Sequence, residues 1–203
     1  MGYQSVPREI KFKLYQHMKS KGISKLGYSY EPFFNDVVRR KRICVFVAKS
    51  RKHFNGVLLR RGQIPTLSYT RTDPKVRQNF TKCHELAHLL LNHQGESDKY
   101  KEAEANRVAG FLLMPDIVLL AKIIYRKDTF HQLRRSLCVS AEALRIRLVQ
   151  LIQDWSNCPF YLIKVYVRQY ALGFREMYER TLKSVEKKII REYRNSLKLT
   201  KFY

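Results

Sequence analysis

The spacing of apolar residues divides the chain into helical stretches around one short region of extended chain. In the first forty residues, apolar positions recur at mixed intervals of three and four, which is the repeat of an amphipathic helix. The pattern then changes to short β-branched or apolar runs at 43–50, 56–61 and 63–70. These runs predict three strands of a small antiparallel sheet. Because Pro65 has no N–H to donate, we expect the third strand to lie near an edge.

A long amphipathic helix is predicted after the sheet. Asp73 is a typical N-cap residue, and Pro74 suits the first helical position. An apolar stripe with helical spacing follows and predicts a helix over about 74–92, with the positions Val76, Phe80, Cys83, Ala87 and Leu91. Gly95 suits the left-handed turn that ends such a helix.

A second helix is predicted to begin at Ser97 or Asp98 and to run to Pro115. The connection between the two helices is only a few residues long. We therefore expect the helices to form an antiparallel hairpin.

The remaining residues predict further helices. Two short helices separated at residues 138–140, with Ser140 as the N-cap of the second, have a helix-turn-helix outline. The tail from Pro159 is apolar and then increasingly basic, and keeps helical spacing at Tyr178, Leu182, Val185, Ile189 and Tyr193.

Length and composition indicate a folded protein of one substantial domain and an appendage. The chain has 203 residues, of which 45% are hydrophobic. No apolar run approaches the ~20 residues of a membrane helix, and the first residues contain no apolar signal core, so we expect a cytoplasmic protein. The cysteines lack CxxC spacing, which argues against disulfides and all-cysteine zinc sites, and we expect them to be reduced and mostly buried: Cys44, Cys83, Cys138 and Cys158.

The charge is strongly positive and unevenly placed. The formal net charge is +23, which favours nucleic acid or an acidic partner. Residues 1–62 hold 15 Lys and Arg against 3 acids, and residues 159–203 hold 11 against 4. By contrast, acids cluster around residues 85–104, where a bound cation would explain them.

His84, Glu85 and His88 form an H-E-x-x-H pattern on the first predicted helix of the hairpin. Residues four apart share a helix face, so both imidazoles can bind one zinc ion at about 2.0 to 2.1 Å. Glu85 lies about 100° around the axis. It is then beside the metal without binding it, as a general base must be.

The second helix offers candidates for a third ligand. Glu102 can complete a three-ligand site, and Asn106, one turn later, can accept the remaining ring N–H of a ligand histidine. Glu104 is the main competitor, but it lies about 200° from Glu102, so both cannot face one ion. The pairing with Asn106 favours Glu102.

Nearby residues also have ordinary structural interpretations. Glu104 is typical of a solvated helix charge, and His93 of a helix end, where the dipole favours it. Cys83 is typical of a small buried core residue.

Three separated motifs resemble the ImmA/IrrE family of zinc metallopeptidases. They are NFTKCHELAHLLLNH, EAEANRVAGFLLMP and LCVSAEALRIRL, and the resemblance covers about residues 40–150. It implies zinc ligands at His84, His88 and Glu102 and a catalytic Glu85. Members of this family are peptidases that cut helix-turn-helix transcriptional repressors.

The resemblance completes the expected organisation. We predict an α+β, zincin-like catalytic domain over residues 1–116, with the small antiparallel sheet and the active-site hairpin. A helix-turn-helix-like segment is expected over 117–157 and a basic helical extension over 158–203. The third strand could hold an extended peptide by main-chain pairing, and Tyr69, Tyr100 and His93 are candidates to stabilise the oxyanion.

Two functions follow from these features. The first is a zinc-dependent endopeptidase that cleaves a helix-turn-helix repressor and so derepresses phage, mobile-element or stress genes, with its basic surface held near DNA non-specifically. The alternative is a DNA- or RNA-binding regulator with a structural or inactive zinc site. Its supposed recognition helix offers few base-reading side chains, namely Arg145, Arg147 and Gln150.

Overall fold

A computed structural model describes residues 5–49, 58–59, 65–94 and 98–198. By packing, the chain forms two compact units, Ser29–Leu113 and a unit that joins Met1–Tyr28 to Met114–Tyr203. The three-part division drawn from the sequence stays a prediction. The mixture of a small sheet with many helices confirms the α+β class.

The sheet of the first unit is mixed rather than antiparallel. Strand β1 (Cys44–Ala48) pairs in parallel with β3 (Thr66–Thr70), with Cys44 opposite Thr66. Strand β2 (Leu58–Leu59) pairs antiparallel with β3, so the order is β1-β3-β2. The prediction of an antiparallel sheet is therefore wrong. The connection from β1 to β3 is long enough for the crossover that parallel strands require, about a dozen residues or more.

The expectation that the third strand lies near an edge is also wrong. In the order β1-β3-β2, β3 is the middle strand. Pro65 stands one residue before it and needs no N–H there, while its carbonyl accepts a hydrogen bond from the Cys44 N–H at 2.9 Å. Main-chain pairing of a substrate with β3, as the sequence suggested, therefore loses its basis.

Three helices complete this unit. Helix α2 (Glu31–Arg40) precedes the sheet, and α3 (Lys75–Leu90) packs on α4 (Lys99–Leu113). The two helices predicted at about 74–92 and 97–115 are confirmed to within a few residues. His84, in the middle of α3, lies near Asn106, whereas Gln94, just after α3, contacts Lys101 near the start of α4. The residue numbers run in opposite directions along the two helices, so the hairpin is antiparallel.

The ends of α3 differ from the prediction. Pro74, not Asp73, occupies the N-cap position, and the side chain of Gln78 donates to the Asp73 carbonyl at 2.7 Å. Beyond the other end, the residue with left-handed backbone is Asn92, at φ 54°. Gly95, the predicted residue, lies outside the described residues.

The second unit is helical in its described part. Helix α5 (Asp116–Leu120) continues into a π-helical turn (Ala121–Tyr125). The predicted helix-turn-helix outline lies over α6 (Phe130–Ser136) and α7 (Ala141–Trp155). Ser140 is the N-cap of α7, as predicted, and its side chain accepts a hydrogen bond from the Ala143 N–H at 3.1 Å. The other helices of the unit are α1 (Arg8–Ser20), α8 (Phe160–Ala171) and α9 (Glu176–Lys198).

The predicted apolar stripe of the tail forms the buried face of α9, except that Tyr193 is only half-buried. Its side chains are at most 3% exposed at Tyr178, Leu182, Val185 and Ile189. This face fixes α9 on the helical core of the second unit, because burying several large apolar side chains is the main stabilising contribution in such packing.

A buried ion cluster joins α1, α5, α7 and α9. The Arg147 guanidinium pairs with the Asp116 carboxylate and donates to the Met114 carbonyl at 3.1 Å. Lys11 lies 3.7 Å from Asp116 and 3.2 Å from Glu192. Since Arg147 is only 2% exposed, it cannot read bases as the sequence suggested.

The cysteines are less buried than expected. Among the four cysteines only Cys83 is buried, while Cys44 is exposed and Cys138 and Cys158 are half-buried. The structural interpretation of Cys83 is confirmed, and burial raises the pKa of its thiol well above the usual value.

In the described part of the chain, no single helix is long and apolar enough to cross a membrane. The helix α4 and the following segment Asp116–Tyr125 pass this test of length and composition only as a pair that is broken by a bend.

Arg147→Met should lower the free energy of unfolding by about 3 to 5 kcal/mol, because it leaves Asp116 buried without its guanidinium partner. Arg145→Met is the matched control, since Arg145 is exposed on the same helix and its cost should stay below about 1 kcal/mol. Urea denaturation of both variants measures the difference. Equal costs would show that the cluster is not a structural anchor.

Candidate metal centre

Helix α3 directs two imidazoles to one point. His84 and His88 stand one turn apart, and their Nε2 atoms are 3.1 Å from each other. Phe80, a further turn back, lies beside the His84 ring. Both histidine side chains are largely buried, 14% and 11% exposed respectively. The two ligand-type nitrogens are therefore held in place by the helix and its packing.

Helix α4 brings a carboxylate to the same point. Glu102 places Oε2 3.1 Å from Nε2 of His84 and Oε1 3.5 Å from Nε2 of His88. These separations suit one tetrahedral ion, since bonds of 2.0 to 2.1 Å give ligand edges of about 3.3 to 3.4 Å. The Glu102 side chain is 43% exposed, so the site opens to solvent on its side. His84, His88 and Glu102 could together hold a metal ion.

A second set of contacts holds the other ring nitrogen of His88, Nδ1. Nδ1 of His88 lies 2.9 Å from Nδ1 of His93, and Nε2 of His93 lies 3.2 Å from Oε2 of Glu104. His93 reaches this position because the left-handed Asn92 turns the chain back and the His93 N–H donates to the His88 carbonyl at 3.0 Å. We call His88, His93 and Glu104 the relay.

The relay determines where His88 carries its proton. A carboxylate only accepts, so a neutral His93 must carry its proton on Nε2 and donate it to Glu104. Nδ1 of His93 is then an acceptor, and Nδ1 of His88 must be the donor between the two rings. Nε2 of a neutral His88 is left with a lone pair, which points toward His84 and Glu102. This is the tautomer that binds a metal through Nε2.

His84 is held in the form that metals bind. Its pKa is lowered by burial, and the neighbouring Glu102 carboxylate opposes this effect. The nearby side chain of the exposed Asn106 also opposes this lowering of the pKa. Nδ1 of His84 is buried and has no hydrogen-bond partner among the described residues. Asn106 is thus close to the ring, and its predicted role as acceptor of the ring N–H stays a prediction.

Glu85, the predicted general base, is buried, with 6% of its surface exposed. It follows His84 directly, so its side chain leaves the helix about 100° away from the histidine pair. Of the three candidates to stabilise the oxyanion, His93 contacts His88, and the role stays a prediction for all three. The ring of Tyr69 faces the Lys82 ammonium at 4.4 Å, and Tyr100 is 56% exposed.

The sequence did not reveal the relay. Glu104 is half-buried and paired, rather than solvated, and His93 contacts a candidate ligand rather than only ending a helix. The helical repeat does not extend past the end of α3, so periodicity could not place His93. A usable indication was the presence of a third histidine five residues after His88 together with the second acidic residue of α4.

Comparison with family models gives one match, to the IrrE N-terminal-like domain of peptidase family M78, over residues 40–149. The chain belongs to this family. The resemblance inferred from the three motifs is confirmed, with nearly the same limits. M78 is a metallopeptidase family, so the function is of the metallopeptidase type and the substrate is a protein. No curated protein and no solved structure matched the chain.

Glu104→Ala should weaken zinc binding about 10- to 100-fold, because a lost partner behind a ligand histidine frees its tautomer and orientation. Glu104→Gln keeps an acceptor oxygen for His93 and should retain most of the affinity. Glu9→Ala, an exposed acid on α1, controls for the change in net charge. Competition with a chromogenic chelator measures the affinities. Unchanged binding by Glu104→Ala would show that the relay does not orient His88.

Proposed function

We propose that the protein is a zinc-dependent endopeptidase whose metal ligands are His84, His88 and Glu102. The observation that carries the proposal is the convergence of the two Nε2 atoms and the Glu102 carboxylate within 3.1 to 3.5 Å. Two nitrogens and one oxygen leave a fourth position open, as catalytic rather than structural zinc sites do. No cysteine belongs to this set, which also favours a catalytic site.

Glu85 is the proposed general base. When bound at such a site, zinc supplies Lewis-acid chemistry, which polarises a carbonyl group and makes water reactive near neutral pH. Glu85 accepts the proton of the attacking water and passes it to the departing amine. Its place beside His84, off the ligand face, puts it next to the metal site without making it a ligand, as the general base of this motif requires.

Glu102 and the relay have positioning roles in this proposal. Glu102 comes from the second helix of the hairpin, so the site exists only when α3 and α4 are packed together. His93 and Glu104 keep the His88 lone pair directed at the metal. The exposed side of Glu102 is where a peptide would enter.

We propose that the substrate is a helix-turn-helix repressor, and that its cleavage derepresses phage, mobile-element or stress genes. The support is the family, whose members act on such repressors, and the net charge of +23, which keeps the enzyme near DNA-bound proteins. A DNA-reading regulator with an inactive zinc site is less well supported. Its recognition helix would be α7, in which Arg147 is buried in an ion pair.

Glu85→Gln should keep about one zinc per chain yet slow cleavage about 10²- to 10⁴-fold, the usual contribution of a general base. Glu102→Ala should lose both metal and activity. Metal analysis of the purified variants tests the first expectation. Co-expression of each variant with candidate helix-turn-helix repressors from the same genome, with cleavage followed by mass spectrometry, tests the second.

The alternative function predicts another outcome. A binding regulator with an inactive site would keep its biological effect in the Glu85→Gln variant, and its partner would stay intact with the wild type. Either result would contradict the peptidase proposal.

A further inference from the structure

Helix α9 carries a line of cations along its solvent-exposed face. Five of its exposed basic residues recur at intervals of four, four, three and four, and lie within one side of the helix. At 1.5 Å per residue, the line is about 22 Å long. We call this set the basic stripe, which consists of Lys183, Lys187, Arg191, Arg194 and Lys198.

The acids of α9 do not neutralise the basic stripe. Glu179 is paired with Lys127 and Arg175, at 2.7 and 2.6 Å, and Glu192 with Lys11 at 3.2 Å. Glu186 accepts a hydrogen bond from Tyr125. The remaining acid, Glu176, is 3.5 Å from Arg180, ahead of the stripe.

The basic side chains of α9 that lie outside the stripe have polar partners, whereas those of the stripe have none among the described residues. Lys188, outside it, donates to the Trp155 carbonyl at 3.2 Å. Within the described chain, no side chain of the basic stripe forms an ion pair or a hydrogen bond. Like charges one turn apart repel one another. An external polyanion would remove that repulsion.

The opposite face of α9 keeps the basic stripe rigid. Tyr178, Leu182, Val185 and Ile189 are buried in the core of the second unit. The helix therefore cannot turn its apolar face outward, as a helix lying in a membrane surface must. The stripe contains no apolar side chain, and the large exposed apolar residue described on α9 is Met177, ahead of it.

We propose that the basic stripe binds the phosphate backbone of nucleic acid without reading its sequence. Duplex DNA carries one negative charge per about 1.7 Å of axis, so each cation of the stripe has a phosphate within reach along the whole 22 Å or so. Lysine and arginine contacts to phosphates position a protein on the duplex but carry no sequence information.

This surface differs from the recognition helix considered at the sequence level. On α7, Arg147 is buried, while Arg145 lies over the Phe130 ring at 5.5 Å and 3.9 Å from Glu142. Among the residues that the structure describes, the basic stripe has no such partners. The inference is independent of the peptidase proposal, because none of its residues belongs to the metal centre.

The test compares two variants of equal charge. The stripe variant carries Lys183→Gln, Lys187→Gln, Arg191→Gln and Arg194→Gln. The control variant replaces four exposed lysines on other elements, with the same loss of charge: Lys13→Gln, Lys21→Gln, Lys41→Gln and Lys99→Gln. Glutamine preserves helix propensity, so α9 should remain folded, as circular dichroism can verify.

Fluorescence anisotropy with two short duplexes of unrelated sequence, over a series of salt concentrations, gives the result. The wild type should bind both equally, with log K falling linearly against log salt. The stripe variant should bind at least about tenfold more weakly at low salt, and its slope should be shallower by about 3 to 4, at ~0.9 per phosphate contact. The control variant should keep a slope near that of the wild type.

Several outcomes would overturn the proposal. Equal losses in both variants would show an effect of net charge alone. Absence of wild-type binding, or binding to phosphatidylserine vesicles but not to DNA, would also reject it. Should the stripe variant unfold, the double variant Lys187→Gln, Arg191→Gln must still lower the slope by about 2, and an unchanged slope would contradict the proposal.

Discussion

The proposed metal centre depends on one chain of hydrogen bonds, which leaves the lone pair of His88 Nε2 directed at the other two ligand residues. Glu104 accepts from His93, His93 accepts from His88, and the unprotonated Nε2 of His88 then faces the second imidazole and the Glu102 carboxylate. A neutral His84 has one proton, and on Nε2 it can satisfy only one of these two neighbours, each 3.1 Å away. A single divalent cation satisfies all three ligand atoms at once, which is why a metal fits this hairpin better than hydrogen bonds alone.

Charged side chains have different roles in the two compact units. In the helical unit, Arg147 and Asp116 are buried and pair with each other, so their charges hold helices together. In the hairpin, the acids are arranged around imidazoles, where their charges favour a cation. On α9 the acids contact partners, while the cations of the basic stripe remain exposed. The net charge of +23 therefore does not show how the charges act. Some are buried in ion pairs, some surround the imidazoles, and some are exposed on α9.

Much of the helical structure and the convergence of His84, His88 and Glu102 were predictable, because helix periodicity and i, i+4 spacing are local properties of the sequence. Pairing between strands is not local. The runs at 43–50 and 63–70 were correctly identified as strands, but nothing in them states that they pair in parallel with the second as the middle strand. His93 was missed since its position depends on a left-handed turn at Asn92, beyond the helical repeat. The sequence does contain a sign that Arg147 is buried, because this residue lies on the same helix face as Leu144, Leu148 and Leu151.

The most direct test of the central claim is X-ray absorption spectroscopy of the zinc-loaded protein at the zinc edge. The proposed centre predicts a shell of nitrogen and oxygen atoms at about 2.0 to 2.1 Å, with the multiple-scattering pattern of two imidazoles and no sulfur. A sulfur shell at about 2.3 Å would place the metal on a cysteine instead. That result, or a spectrum without imidazole scattering, would contradict the account.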